Sequence, residues 1–187
     1  PTDMVVTDNG DFYIVDGYGS DYILHYDKHG RYLQKFGKEN ANSAENINNG
    51  HGITLDYRGE TPLLLVSSRA DHCLKWYTLY GEFIRTLHVH GAFIHAPLFN
   101  GKHMIAAVCW TGDTSAPELN SGVICIFDEN ETLVSVLGGE LPEHGAPVRS
   151  DKKHFYHCHG LEQDKDGNLY LAQWKADAMH PIRLLKC

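Results

Sequence analysis

The chain has 187 residues, 42% of them apolar, which is enough for one sizeable core and ordinary for a soluble globular protein. Its formal charge of −8 disfavours nucleic acid and anionic membranes as partners, and no apolar run approaches the length of a membrane span. No signal peptide is evident, and the five cysteines (Cys73, Cys109, Cys125, Cys158 and Cys187) include no CxxC pair. They read as mostly buried free thiols, which leans towards a reducing compartment while leaving localisation open.

In chain order, "MVV" and "FYIVD" flank "TDNGD", where Asn9-Gly10 is a two-residue hairpin signal because both residues tolerate positive φ. "YILHYD" then turns through "DKHG" into "YLQKF". The same order returns as "ITLD", a turn at "YRGE", "LLLVSS", "CLKWYT", a turn at "LYGE" and "FIRTL". A third copy runs "APLF", a turn at Asn100-Gly101, "HMIAAVCW", "VICIFD", a turn at "ENET" and "LVSVLG". The fourth gives "GLEQ", a turn at "DKDG", "LYLAQW" and "IRLLK", and stops after its third strand. Three insertions rich in Gly, Pro, Asn and Ser are expected to be surface loops: "KENANSAENINN", "TGDTSAPELNS" and "GGELPEHGAPVRSDKKH".

Alternating β-branched and aromatic strands in a repeating order exclude helical repeats and predict an all-β fold, a β-propeller of four-stranded antiparallel blades. The blades cover approximately residues 1–37, 50–90, 91–139 and 155–187 of a single domain. A β-sandwich is the competing architecture, but it leaves the repeated turn order unexplained. The incomplete fourth copy suggests a piece of a larger ring, of six blades, with exposed blade edges that invite homo-oligomerisation.

The register of the copies also selects histidines. His51 and His159 hold equivalent positions before "GITL" and "GLEQ", where the first copy has Thr2; His95 begins the matching strand of the third copy, and His157 lies two residues before His159. At the start of innermost strands these positions line a central channel, where converging imidazoles can bind zinc or another borderline transition metal. The alternatives are hydrogen-bonded histidines in a polar channel, with His95, His157 and Thr2 as channel-lining or packing residues. His88 and His90 read as an exposed strand end. Trp76, Trp110 and Trp174 read as packing anchors, and "DKDGN" as a hairpin lacking the distal glutamate of a calcium loop.

The first copy, "PTDMVVTDNGDFYIVDGYGSDYILHYDKHGRYLQKFG", resembles a blade of the NHL-repeat propellers, and the chain is similar in order to the last four blades of the peptidyl-α-hydroxyglycine α-amidating lyases. The resemblance implies a six-bladed zinc enzyme splitting a peptidyl-α-hydroxyglycine into a peptide amide and glyoxylate. "VDGY" matches the family's "SDGY" and implies catalytic Tyr18. "GHGITL…SSRADHC" implies zinc ligand His51 and active-site Arg69, and "HCHG" implies zinc ligand His159. Arg69 has a plainer alternative as an ion-pair partner of Asp71 or Asp16, and Tyr18 as a filler of a blade junction.

The departures are specific. The family's first zinc histidine and a further arginine would lie upstream of Pro1. Gly160 replaces an aspartate that helps hold calcium, which leaves a calcium site doubtful. His157 replaces a methionine, and Gly19 replaces a disulfide cysteine. Three functions follow: a metal-dependent lyase, with a lactonase-type hydrolase as a variant; a non-catalytic propeller binding a peptide or small molecule in its channel; and a protein-binding scaffold. Fold alone does not choose among them.

Overall fold

The computed structural model describes residues 1–38, 43–113, 116–150 and 154–186. Parts of all three predicted insertions, and Cys187, lie outside the described residues. The chain divides into two compact units, Pro1–His88 and Val89–Cys187, and its described residues are all-β apart from one 3₁₀ turn at Arg69–Asp71. Among the described residues no helix is long and apolar enough to cross a membrane.

The first unit contains two four-stranded antiparallel sheets in sequential order, β1 (Asp3–Val6), β2 (Phe12–Val15), β3 (Ile23–Tyr26), β4 (Tyr32–Phe36), then β5 (Gly50–Asp56), β6 (Leu63–Ser68), β7 (Cys73–Thr78), β8 (Phe83–His88). Strand alternation supplies the core. Tyr13, Val15, Ile23 and Phe36 turn one face of the first sheet onto Ile53, Leu55, Leu64, Val66 and Tyr77 of the second. Each such side chain contributes about 1.5–3 kcal/mol by leaving water. Ile47 joins this core from the connection between the sheets, so the second half of that predicted surface loop is pinned inward.

In the second unit β9 (Ala92–Asn100) and β12 (Val123–Phe127) flank β10 (His103–Asp113), followed outward by β13 (Leu133–Leu137). A fifth strand, β11 (Ala116–Glu118), also pairs with β10. This corrects two expectations: the third blade has five strands, and the insertion predicted as a loop is largely a β-hairpin. The β-prone run that ends in Trp110 and Thr111 continues its ladder through Asp113, and the returning segment satisfies the extra backbone groups. The last sheet has three strands, β14 (Cys158–Gln163), β15 (Leu169–Gln173) and β16 (Ile182–Leu184). Ile105, Ala107 and Ile124 pack there with Leu161, Leu169, Leu171 and Phe155.

Five turns, at 7–11, 27–31, 78–82, 128–132 and 164–168, follow one recipe that differs from the predicted two-residue hairpin. At 7–11 the Thr7 amide donates to the Asp11 carbonyl and the Gly10 amide to Thr7, with Gly10 at φ +91° and no positive φ at Asn9. This is a three-residue loop closed by a left-handed residue. Asn9 serves as a cap instead, accepting from the Thr7 hydroxyl and the Asp11 amide. Gly30, Gly81 and Gly167 repeat the left-handed position, while Glu131 occupies it at φ +63° in "DENET". The predicted Asn100-Gly101 turn is shifted by one residue: Asn100 pairs with His103, leaving Gly101 and Lys102 as the loop.

Candidate functional site

In the first unit the three residues singled out separately, Tyr18, His51 and Arg69, come together. Tyr18 is exposed on the turn after β2, with its ring edge-on to His51 at 5.8 Å between centroids. Arg69, buried on the 3₁₀ turn after β6, donates from Nη1 to the Tyr18 hydroxyl at 3.3 Å. Asp16 and Asp71, the carboxylates weighed as ion-pair partners of Arg69, each have further partners. Asp16 accepts from Ser20, and the Ser20 hydrogen bonds hold its carboxyl below the usual carboxylate range. Asp71 accepts from Asn48 and Ser68.

Two glycines shape the Tyr18 turn. A Cβ on Gly17 would stand 1.6 Å from the Gly50 carbonyl oxygen, so only glycine lets the turn approach β5 this closely. A Cβ on Gly19 would stand 2.4 Å from the Asp16 carboxylate, so a side chain there requires that carboxylate to move. Thr2 is tied down, its hydroxyl donating to the Val15 and Gly50 carbonyls at 3.1 and 3.0 Å.

His51 is buried at an irregularity of β5: Gly50 faces Ser68 and Ile53 faces Val66, so two residues of β5 oppose one of β6. Such a β-bulge re-aims a side chain away from simple alternation. The backbone donors displaced by it are satisfied, Gly52 by the Ser67 hydroxyl at 2.8 Å and Ile53 by the Asp3 carboxylate at 3.0 Å.

The second unit repeats this device twice. Ala96 faces Ala107 and Ile94 faces Val108, leaving buried His95 as the extra residue of β9. Cys158 faces Gln173 and Gly160 faces Ala172, leaving His159 as the extra residue of β14. The His95 and His159 rings stand 4.7 Å apart, centroid to centroid. His157 is placed differently. Its Nδ1 lies 2.8 Å from the Trp174 carbonyl and its Nε2 3.2 Å from the Asn120 amide. A carbonyl only accepts and an amide only donates, so Nδ1 donates, Nε2 accepts, and neither nitrogen faces a ligand. It is a packing residue, edge-on to Trp110 at 6.0 Å and tilted against Trp174 at 5.4 Å between centroids.

Of the tryptophans, Trp76 is fully buried and donates to Asp56, whereas Trp174 keeps 43% of its surface exposed beneath Lys175 and is no simple anchor. His88 and His90 are both exposed. "DKDGN" is a hairpin whose Asp164 carboxylate caps Asp166 and Asn168. Cys73, Cys109, Cys125 and Cys158 are buried free thiols, and burial pushes Cys73 up to about 11 and Cys125 to about 12. The sequence reading missed Asn49, which accepts from Arg69 Nε at 2.7 Å and donates to the Gly17 carbonyl at 3.1 Å. Its signal was an asparagine ahead of a strand-opening glycine, in a place that adopts φ +54°.

No protein-family model matches the chain, and no curated protein sequence matches it. Solved structures do. A streptogramin B lyase is 15% identical with a TM-score of 0.59, over 91% of this chain and 47% of the lyase. A catalytically inactive histidine-to-alanine variant of Staphylococcus aureus virginiamycin B lyase, solved with quinupristin, is 13% identical with a TM-score of 0.58 over the same shares. The likeness is one of fold: a β-propeller. The computationally designed Ika4 protein shares it at 12% identity and a TM-score of 0.55, over 98% of this chain and 90% of that one. The chain spans about half the length of the lyases it resembles.

Proposed function

We propose that this propeller is a metal-dependent lyase-type enzyme whose candidate metal ligands are the bulge histidines His51, His95 and His159, with zinc as the leading candidate. The observation that carries the reading is the shared device: in three blades the first strand is interrupted by a bulge, and each bulge contains a histidine. The donors fit the metal, since imidazoles suit zinc, copper, nickel or iron. His95 supplies the third imidazole that the resemblance to the amidating lyases would place on another blade. In this reading the chain forms four blades of a six-bladed NHL-type ring, and exposed blade edges pair with further blades or with a second copy.

The bound ion would polarise a substrate carboxylate or hydroxyl oxygen. The protein's own residues do the rest. Tyr18 stands exposed beside His51, and as a phenolate it would take the substrate's hydroxyl proton. Arg69 places positive charge beside that phenol oxygen and faces a substrate carboxylate. For an N-acyl-α-hydroxyglycine, loss of the hydroxyl proton and cleavage of the C–N bond give glyoxylate, and the amide nitrogen takes up a proton.

The test is metal analysis of the purified chain with turnover of N-benzoyl-α-hydroxyglycine to benzamide and glyoxylate. Stoichiometric metal that disappears in the His51→Ala/His159→Ala double variant, together with its turnover, supports the reading. No stoichiometric metal, and a double variant indistinguishable from the parent, would remove it. The second reading, a non-catalytic propeller taking a small molecule or peptide, draws on Gly160 at the family's calcium aspartate. Metal binding without turnover would favour it.

A further inference from the structure

Asn49 sits where the two substrate-facing residues are joined. Its Oδ1 accepts from Arg69 Nε at 2.7 Å and also from Nη2, while its Nδ2 donates to the Gly17 carbonyl at 3.1 Å. The amide orientation follows from the partners, because a guanidinium only donates and a carbonyl only accepts. The neighbouring Asn48 fixes the same junction from the other side. Its amide donates to the Ser68 hydroxyl at 2.9 Å, its side chain to Asp71 at 2.9 Å, and its carbonyl accepts from the Ala70 amide at 3.2 Å. The connection is held in turn by the buried Lys75 ammonium on the Ala44 carbonyl at 2.5 Å, and by the Tyr77 hydroxyl on the Glu45 carbonyl.

We infer that Asn49 is a positioning residue, clamping the Arg69 guanidinium and the Gly17–Tyr18 turn in one arrangement so that the phenol and the cation reach the substrate together. The inference rests on the lyase reading for its functional meaning. Its geometry rests on two hydrogen-bonded arms that no other uncharged side chain of this length supplies. Aspartate would keep the Arg69 arm and turn the second into carbonyl–carboxylate repulsion. Glycine would remove both arms while fitting the left-handed backbone at φ +54° without strain.

The two variants separate the arms. In the full chain labelled with ¹⁵N-arginine, the Arg69 Nε–H signal, assigned with Arg69→Lys, reports the first. In chain labelled with 3-fluorotyrosine, the Tyr18 line, assigned with Tyr18→Phe, reports the second. Asn49→Gly is expected to speed exchange of the Arg69 Nε–H about tenfold or more and to move the Tyr18 line. Asn49→Asp is expected to leave the Arg69 signal protected while the Tyr18 line moves. An Asn49→Gly chain with both signals unchanged, or an Asn49→Asp chain with the Tyr18 line in place, overturns the inference.

Turnover of N-benzoyl-α-hydroxyglycine adds its functional side: Asn49→Asp should lower kcat with little change in KM, and Asn49→Gly should worsen both. Equal loss in the two variants would reduce Asn49 to a structural residue. A parent chain inert towards this probe would overturn the lyase reading instead, and the two spectra would still decide the clamp.

Discussion

The first two blades share one unit and one strand plan, yet they are built to different ends. β1 is a straight ladder from Asp3 to Val6, preceded by Thr2, and its Met4 and Val6 remain more than half exposed. β5 is nearly all buried, broken by a bulge, and has His51 where β1 has nothing comparable. Their third strands carry parallel contacts of unequal depth. In the first blade His25 Nε2 lies 3.3 Å from Asp11 and the ring stacks on Tyr13. In the second Trp76 donates to Asp56 at 2.8 Å beneath the Arg85 guanidinium. A repeated fold thus leaves each blade free to be scaffold or site. The bulge with its histidine marks the second kind.

The largest expected difference between the two blades is in stability. Trp76→Ala should cost roughly 3–5 kcal/mol, because it opens a cavity at a fully buried ring and strips a donor from Asp56. His25→Ala should cost only about 1–2 kcal/mol, and similar urea midpoints for the two variants would erase the contrast. Next comes the metal. His51→Ala should lower zinc affinity by more than the roughly 100-fold that loss of an outer-shell partner costs. Adding Thr2→His to that variant should restore none of it by titration calorimetry, since β1 has no bulge to aim the new ring.

Acid should act on both blades, through different carboxylates. Burial pulls the Asp56 carboxyl upward, but hydrogen bonds from Arg58 and Trp76 outweigh it and hold the carboxyl below the usual range. A carboxylate depressed in the folded state contributes stability that is present above its unfolded value near 3.9 and lost as pH falls through the folded one. Asp56→Asn should therefore cost about 1–2 kcal/mol at pH 7 and less at pH 3, read as a converging pair of urea curves. The Arg31 backbone hydrogen bond holds Asp27 of the first blade at about 2, so its acid response survives in that variant. The smallest effect lies in the turns. Glu131 takes the left-handed place that Gly30 fills in the first blade, and Glu131→Gly should raise stability by about 0.5–1 kcal/mol in thermal unfolding.

The strands were legible because alternation such as "FYIVD" and "LLLVSS" states both extended backbone and buried face. The histidine positions were legible because repeated copies share a register. The bulges were not, since one inserted residue leaves no trace in a short apolar run; "HGITL" reads the same straight or bulged. The hairpin at β10 and β11 was hidden by Gly, Pro and Ser, which signal a turn without stating how far the ladder runs. Asn49 was hidden for another reason: its partners, Arg69 and Gly17, are 20 and 32 residues away in sequence, and only the meeting of two turns brings them to one amide. The same distance hid the fate of His157, whose two nitrogens are consumed by a backbone carbonyl and a backbone amide.

The buried thiols turn into a clock for the molecule. Alkylating reagents attack thiolates, and burial raises Cys73 and Cys125 far from the range in which thiolate forms readily. Labelling must therefore wait for the structure around them to open. Cys73 keeps time for the first unit, while Cys109, Cys125 and Cys158 keep it for the second. In a Cys187→Ser background, mass spectrometry of pulse-labelled chain would show whether both units open in one event or each on its own schedule.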